Sequence, residues 1–319
     1  MMTRSELERN QVWLYVVMMI VAVVFGLLFP GSAVRLESVT SIVIGLLLFS
    51  MFSQIPFTSM KKAFRNAAFI KALLVLNFMI VPIVVWVLSQ MLTGNTTLLI
   101  GFYLVLLTPC IDYVIVFTAL GRGDEKLVLV STPILFVVQM LLLPMYLWLF
   151  MGRDALAIVE PLPFIEAFLY LVIIPLGIAV LLQLGAKRIT FLTKVSSSSA
   201  WLPVPLMALT LFIVVASQIV KLETYLNYIL QVLPLYIIFM GIMPFLAKYV
   251  AAWFRLEASA GRALIFSGAT RNSLVVLPLA LSFPDNGDVV AAVIITQTIV
   301  ELLSELVYIR LVPSIIIRD

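Results

Sequence analysis

The sequence predicts an all-α polytopic membrane protein, with ten transmembrane helices in two inverted five-helix repeats and discontinuous fourth and ninth helices. Three observations carry this expectation. The first is composition: of 319 residues, 63% are hydrophobic and 11% charged, and mean hydropathy is +1.19. Soluble domains hold roughly 45–50% apolar and about 25% charged residues. The second is run length. The apolar runs continue for about 20 residues, enough to cross the hydrocarbon core as a helix, and they lack the alternating ten-residue pattern of a barrel. The third is that two of these runs are interrupted at mid-depth by proline, glycine and charged residues.

Met1–Asn10 is polar, and the run at 11–29 is too long for a secretory signal core and has no small-residue cleavage site after it, so it reads as a retained first helix. The following spans fall at about 38–58, 66–91, 97–120, 127–151, 162–184, 199–220, 228–254, 260–283 and 288–313. The links between them are too short for a soluble domain. Residues 1–319 therefore read as a single transmembrane domain, with repeat one at about 11–151 and repeat two at about 162–313. The serine run Ser196–Ser199 reads as a flexible turn between the sixth and seventh spans.

Lysine and arginine set the orientation. With the amino terminus in the cytoplasm, the outer links hold only Arg35, Arg153 and Lys221, and Arg271 lies within a span. The remaining 16 of the 20 basic residues fall on the cytoplasmic side. This bias places both termini in the cytoplasm. The repeat itself is marked by Arg122-Gly123-Asp124 after the fourth span and Asn286-Gly287-Asp288 after the ninth, each followed eight residues later by a threonine, Thr132 or Thr296. Five spans per half turn the second half upside down, the plan of many secondary transporters whose site lies at the repeat interface.

The interrupted runs carry the chemistry. In Thr108-Pro109-Cys110-Ile111-Asp112, Pro109 lacks an amide hydrogen and its ring clashes with the carbonyl four residues back, so the helix breaks there. Backbone groups freed at that depth must face protein or a water-filled cavity. Asp112 is a costly charge beside the break, a substrate group or one half of a structural ion pair. Cys110, the only cysteine, is either an ordinary small apolar residue or a soft ligand for a thiophilic species.

The ninth span carries Gly268-Ala269-Thr270-Arg271-Asn272-Ser273. A helix restarting here aims its amide groups at an anionic or oxygen-rich ligand. Arg271 is open to three roles: pairing with Asp112, pairing with a carboxylate of the tenth span, or binding substrate. In the tenth span Gln297, Glu301 and Glu305 are spaced i, i+4, i+8 and stack on one face. An intramembrane glutamate facing a cavity suits a proton or cation, whereas the bland role of a paired or snorkelling group fits Glu305 better than Glu301. Ser131, Thr132 and Gln139 of the fifth span could offer hard oxygen ligands to sodium, although such hydroxyls commonly bond their own helix.

The absence of histidine and of nucleophile–base motifs argues against an enzyme, so no catalytic residue, resident metal or cofactor is expected. A single cysteine allows no internal disulfide.

Thr108-Pro109-Cys110 in a broken fourth span, Arg271-Asn272-Ser273-Leu274 in a broken ninth and Val300-Glu301 in the tenth resemble the arsenical-resistance (arsenite carrier) family of the bile acid:sodium symporter superfamily. The resemblance covers nearly the whole chain and includes Phe52-Ser53-Gln54-Ile55-Pro56 ahead of Lys61-Lys62. It implies a panel domain of spans 1, 2, 6 and 7 and a core domain of the rest, within which spans 4 and 9 cross. It further implies that Cys110 lies near substrate and that Glu301 couples protons. The chain departs from the family pattern at Asp112 and at Arg271-Asn272-Ser273.

The expected function is secondary active transport, namely proton-coupled efflux of arsenite or a related trivalent metalloid. The alternative on the same fold is sodium-coupled symport of an organic anion. Cys110, Asp112, Arg271, Asn272 and Ser273 are the expected substrate residues, and Glu301, Glu305, Gln297, Ser131 and Thr132 the expected proton or ion-coupling residues. The expected location is the plasma (inner) membrane, and the expected partners are the bilayer and a small inorganic or organic solute, with no nucleic acid.

Overall fold

The computed structural model describes residues 4–53, 66–92, 94–111, 113–152, 169–186, 189–199, 201–219, 222–281, 283 and 287–318. Asp112, Gln54, Ile55, Pro56, Lys61, Lys62 and Asn286 lie outside the described residues. In chain order the helices are α1 (Arg4–Leu28), α2 (Pro30–Arg35), α3 (Glu37–Phe52), α4 (Ala67–Leu92), α5 (Thr96–Leu106), α6 (Val114–Leu120) and α7 (Glu125–Met151). Then come α8 (Ile174–Ala186), α9 (Thr190–Ser199), α10 (Pro203–Ile219), α11 (Leu222–Trp253), α12 (Ala258–Ala269), α13 (Ser273–Leu281) and α14 (Gly287–Leu311). Regular structure among the described residues is helical throughout.

Four helices are long and apolar enough to cross a membrane by length and composition: Ala67–Leu92, Glu125–Met151, Tyr225–Trp253 and Gly287–Ile316. They correspond to spans 3, 5, 8 and 10. The expected spans 4 and 9 are each cut in two, α5/α6 and α12/α13, so no half reaches full length. The serine run differs from expectation: Ser196–Ser199 continues α9 as helix, and α9 packs against α8. Tertiary packing here overrides the weak helix propensity of serine.

Contacts divide the chain into two compact units, each built from two separate stretches. Unit 1 comprises Met1–Ile55 and Pro161–Leu226; unit 2 comprises Pro56–Glu160 and Asn227–Asp319. In unit 1, α10 packs against α1 and α3, with the Phe25 and Phe212 rings 5.4 Å apart. The amide of Gln183 on α8 donates to the carbonyls of Phe52 (3.2 Å) and Ser53 (3.1 Å). Those carbonyls lie at the described end of α3, where a helix leaves its last carbonyls without partners of its own.

Unit 2 is organised around α14, which packs against α5, α6 and α13. A side chain at Gly101 would bring its Cβ to 2.8 Å from Val293 Cγ1, so glycine is what lets α5 lie close against α14. Local caps start several helices: Asn66 accepts from Phe69 N (3.1 Å), Asn95 from Leu98 N (3.2 Å), and Asp124 from Lys126 N and Leu127 N (3.1 and 3.2 Å).

Prolines inside the long helices free carbonyls that other groups satisfy. Pro82 offers no amide hydrogen to Phe78 O, and the Tyr146 hydroxyl of α7 donates to that oxygen at 2.6 Å. Pro133 leaves Leu129 O free in the same way, and Thr132 Oγ1 donates to it at 2.8 Å. Close to Pro82, α4 widens into a π-helical turn, Leu76–Ile80, and this turn carries the buried amide of Asn77.

Candidate functional site

The two interrupted spans meet at their breaks. Pro109 and Arg271 form an isolated antiparallel bridge, with Cys110 N donating to Thr270 O (3.2 Å) and Asn272 N to Thr108 O (2.8 Å). The logic is that of an unwound backbone in a medium without water: each N–H withdrawn from its own helix must find an acceptor elsewhere. In a continuous helix Cys110 N would bond Leu106 O, Arg271 N would bond Ser267 O and Asn272 N would bond Gly268 O. All three donors leave, so three carbonyls are stranded.

The guanidinium of Arg271 takes all three. Nη1 donates to Leu106 O (3.3 Å), and Nη2 donates to Ser267 O (2.8 Å) and Gly268 O (2.6 Å). Nη2 also donates to Asn77 Oδ1 (2.8 Å), and the group lies 5.9 Å from the centroid of the Phe239 ring. Asn77 is oriented for this by its own Nδ2, which donates to Leu73 O (3.1 Å). Gly268 permits the approach of α12 to the π turn, since a Cβ there would stand 2.4 Å from Leu76 Cδ2. Arg271 is fully buried.

Of the roles the sequence leaves open for Arg271, pairing of its guanidinium with a tenth-span carboxylate is not what the structure shows: the guanidinium's hydrogen bonds among the described residues go to carbonyl and amide oxygens, and Asp112 lies outside those residues. The link to the tenth span runs through the backbone. Arg271 N donates to Glu301 Oε2 at 2.7 Å. Glu301 also accepts from Gln297 Nε2 at Oε2 (2.5 Å) and from the Tyr113 hydroxyl at Oε1 (2.5 Å). Three donors thus converge on one fully buried carboxyl group. One turn along α14, Glu305 Oε1 accepts from Thr270 Oγ1 at 2.7 Å.

Around this core lie buried polar atoms with no hydrogen-bond partner among the described residues: Asn272 Nδ2, Ser273 Oγ, Gln297 Oε1, Glu305 Oε2, Arg271 Nε and Gln139 Oε1. Native interiors leave few such atoms, so a cluster of them on the broken ninth span and α14, with one more on α7, marks a place where polar groups are held ready for something else. Asn272 meanwhile uses its Oδ1 to accept from Val275 N (3.2 Å) at the start of α13. Cys110 is buried within the crossing.

The sequence-derived set thus falls into parts. Cys110, Arg271, Asn272, Gln297, Glu301 and Glu305 come together at the crossing, through the bonds given above, and Ser273 opens α13 directly beside it. Asp112 lies outside the described residues. Ser131 and Thr132 spend their hydroxyl hydrogens within α7, on Leu127 O (2.6 Å) and Leu129 O (2.8 Å). Sequence reasoning missed Tyr113, Asn77 and Thr270. Asn77 carried a usable signal, being the one polar residue in the otherwise apolar stretch 72–88. Tyr113 carried none, because a tyrosine next to a break is equally a packing residue.

Residues 41–224 match the family model of the sodium bile acid symporter family. No curated protein matches the chain.

Proposed function

Because the chain belongs to the sodium bile acid symporter family, we propose that it is a secondary transporter exporting arsenite, or a related trivalent metalloid, in exchange for protons. The observation that supports this most is the setting of Cys110. It is buried at the crossing, its amide is bound to Thr270 O, and the next residue on that facing strand delivers its own amide to Glu301. A thiol is a soft ligand suited to trivalent arsenic. Arsenite is a small uncharged triol at neutral pH, so its hydroxyls need hydrogen-bonding groups more than a countercharge. Asn272 Nδ2, Ser273 Oγ and Gln297 Oε1 are buried polar atoms of that kind.

In this reading Glu301 exchanges a proton for cargo. A proton added to this carboxyl must share it with three donors, so proton uptake rearranges part of that set. Glu305 and Gln297 extend the coupling face, and Asp112, two residues beyond Cys110, joins the substrate set. Unit 2 is then the core and unit 1 the panel of an alternating-access transporter in the plasma (inner) membrane, with both termini cytoplasmic, a placement the distribution of basic residues supports.

The family match favours a second reading on the same site, sodium-coupled symport of an organic anion. Proteoliposomes bearing the purified chain separate the two, given imposed proton or sodium gradients and offered arsenite or a bile-acid anion. Arsenite movement driven by the proton gradient, and abolished by Cys110→Ala and by Glu301→Gln, is the expected result. Sodium-driven uptake of the anion that survives Cys110→Ser would replace the first reading with the second.

A further inference from the structure

The ends of two half-helices, α5 and α12, converge on one point in unit 2, and that point is occupied by a side chain. Leu106 O belongs to the last turn of α5, and Ser267 O and Gly268 O to the last turn of α12. Each lost its helical donor at the crossing. Carbonyls at a helix C-terminus carry the negative end of the helix dipole. Asn77 Oδ1 adds a fourth oxygen from the π turn of α4. Carbonyl groups gathered in this way replace the hydration shell of a metal cation in channels. In transporters with broken helices, unwound carbonyls and half-helix C-terminal ends hold the coupling sodium. Here the four oxygens lie 2.6–3.3 Å from the nitrogens of Arg271.

We propose that the Leu106, Ser267, Gly268 and Asn77 oxygens form a monovalent-cation site that this chain fills permanently with its own Arg271, a tethered cation in place of a mobile one. Three features support the assignment over a plain structural arginine. Among the described residues the guanidinium donates to neutral oxygens only, whereas a buried structural arginine is ordinarily paired with a carboxylate. The oxygens come from three separate helices and, among the described residues, converge without an intervening anion. The contact with Glu301 is made by the Arg271 amide, so the side chain and the backbone of one residue serve different halves of the site.

The consequence is that no mobile cation is needed at this position. Truncating Arg271 leaves a set of oxygens that a small cation can enter. The inference rests on the crossing alone and holds whichever cargo is carried. Its test therefore uses binding and not transport, and its failure is separate from failure of the arsenite reading.

The experiment is a thermal-unfolding titration of the purified full chain in detergent, with sodium chloride or methylguanidinium chloride substituted for choline chloride at constant ionic strength. The parent is expected to unfold at the same temperature in sodium and in choline. Arg271→Ala is expected to unfold lower, and to recover part of the loss saturably on addition of methylguanidinium or sodium, since a ligand that binds only the folded state raises its stability by mass action. Arg271→Lys, which keeps a tethered cation, is expected to show no such response, and Asn77→Ala in the Arg271→Ala background is expected to weaken it. If Arg271→Ala does not purify, Arg271→Gln is titrated in its place, with the same expectation. Absence of a saturable response to either cation in the truncated variant overturns the proposal. So does a sodium response in the parent that Asn77→Ala removes, because the site would then already admit a mobile ion.

Discussion

The hydroxyl of Tyr113 donates to Glu301 Oε1 at 2.5 Å, tying the residue that restarts the fourth span to the middle of α14. Both side chains are buried, and the same carboxylate takes the Arg271 amide at its other oxygen. Glu301 is therefore the node through which both breaks are registered against the tenth span.

Tyr113→Phe removes that donor while keeping the ring, which lies against Phe117 with centroids 6.0 Å apart. A charged-acceptor hydrogen bond of this kind contributes about 1.5–3 kcal/mol. The expected outcome is a folded protein of lowered Tm and, if the proposed proton coupling holds, proteoliposome flux that falls at least as far as its stability. Thermal unfolding and proteoliposome flux measured on the same preparation check it.

Glu301→Gln preserves shape and one acceptor oxygen, replaces the other with an NH2 donor, and cannot exchange a proton. Gradient-driven net transport should disappear while cargo binding persists. Equilibrium binding of arsenite to the detergent-solubilised variant, set against its flux, separates the two effects.

Gly268→Ala should destabilise the fold by about 1–3 kcal/mol, because the added Cβ enters the space of Leu76, a fully buried side chain on the π turn. The loss should shrink in a Leu76→Ala background. Equal loss in both backgrounds would mean that the clash is not what glycine avoids, and a double-mutant cycle in Tm measures it.

Tyr146→Phe leaves Phe78 O without its hydroxyl donor, at a cost of about 1–3 kcal/mol for a buried acceptor. Pro82→Ala returns an amide hydrogen to α4, so the same tyrosine substitution should cost less in that background. Additive losses would show that the proline is not the reason Tyr146 is needed.

Much of the site was legible in the sequence because polar residues inside apolar runs are rare and costly. Pro109, Cys110, Arg271, Asn272 and Glu301 could all be singled out from their position alone. The position of the breaks was legible too, since proline and a polar run at mid-span cannot continue a helix unaided. Partnership was not. Arg271 beside two candidate carboxylates suggests an ion pair, yet the guanidinium turns back onto carbonyls freed by the breaks themselves. The donor to Glu301 from this residue is its amide. Likewise Ser131 and Thr132 read as possible ion ligands, and their hydroxyls serve α7, in Thr132's case at the carbonyl that Pro133 leaves open.

By itself, then, the sequence determined that this is a helical membrane protein, that two of its spans are broken, and that charge lies at the breaks. Composition, run length and backbone sterics decide those matters locally. Only the tertiary structure decided that the two breaks pair with each other, that Asn77 and Tyr113 belong to the site, and that Arg271 splits its backbone and side chain between a carboxylate and four neutral oxygens. The reason is that an apolar interior supplies no water. Every group released by a broken helix must be satisfied by whatever other segments bring within about 3 Å, and that depends on residues remote in the chain.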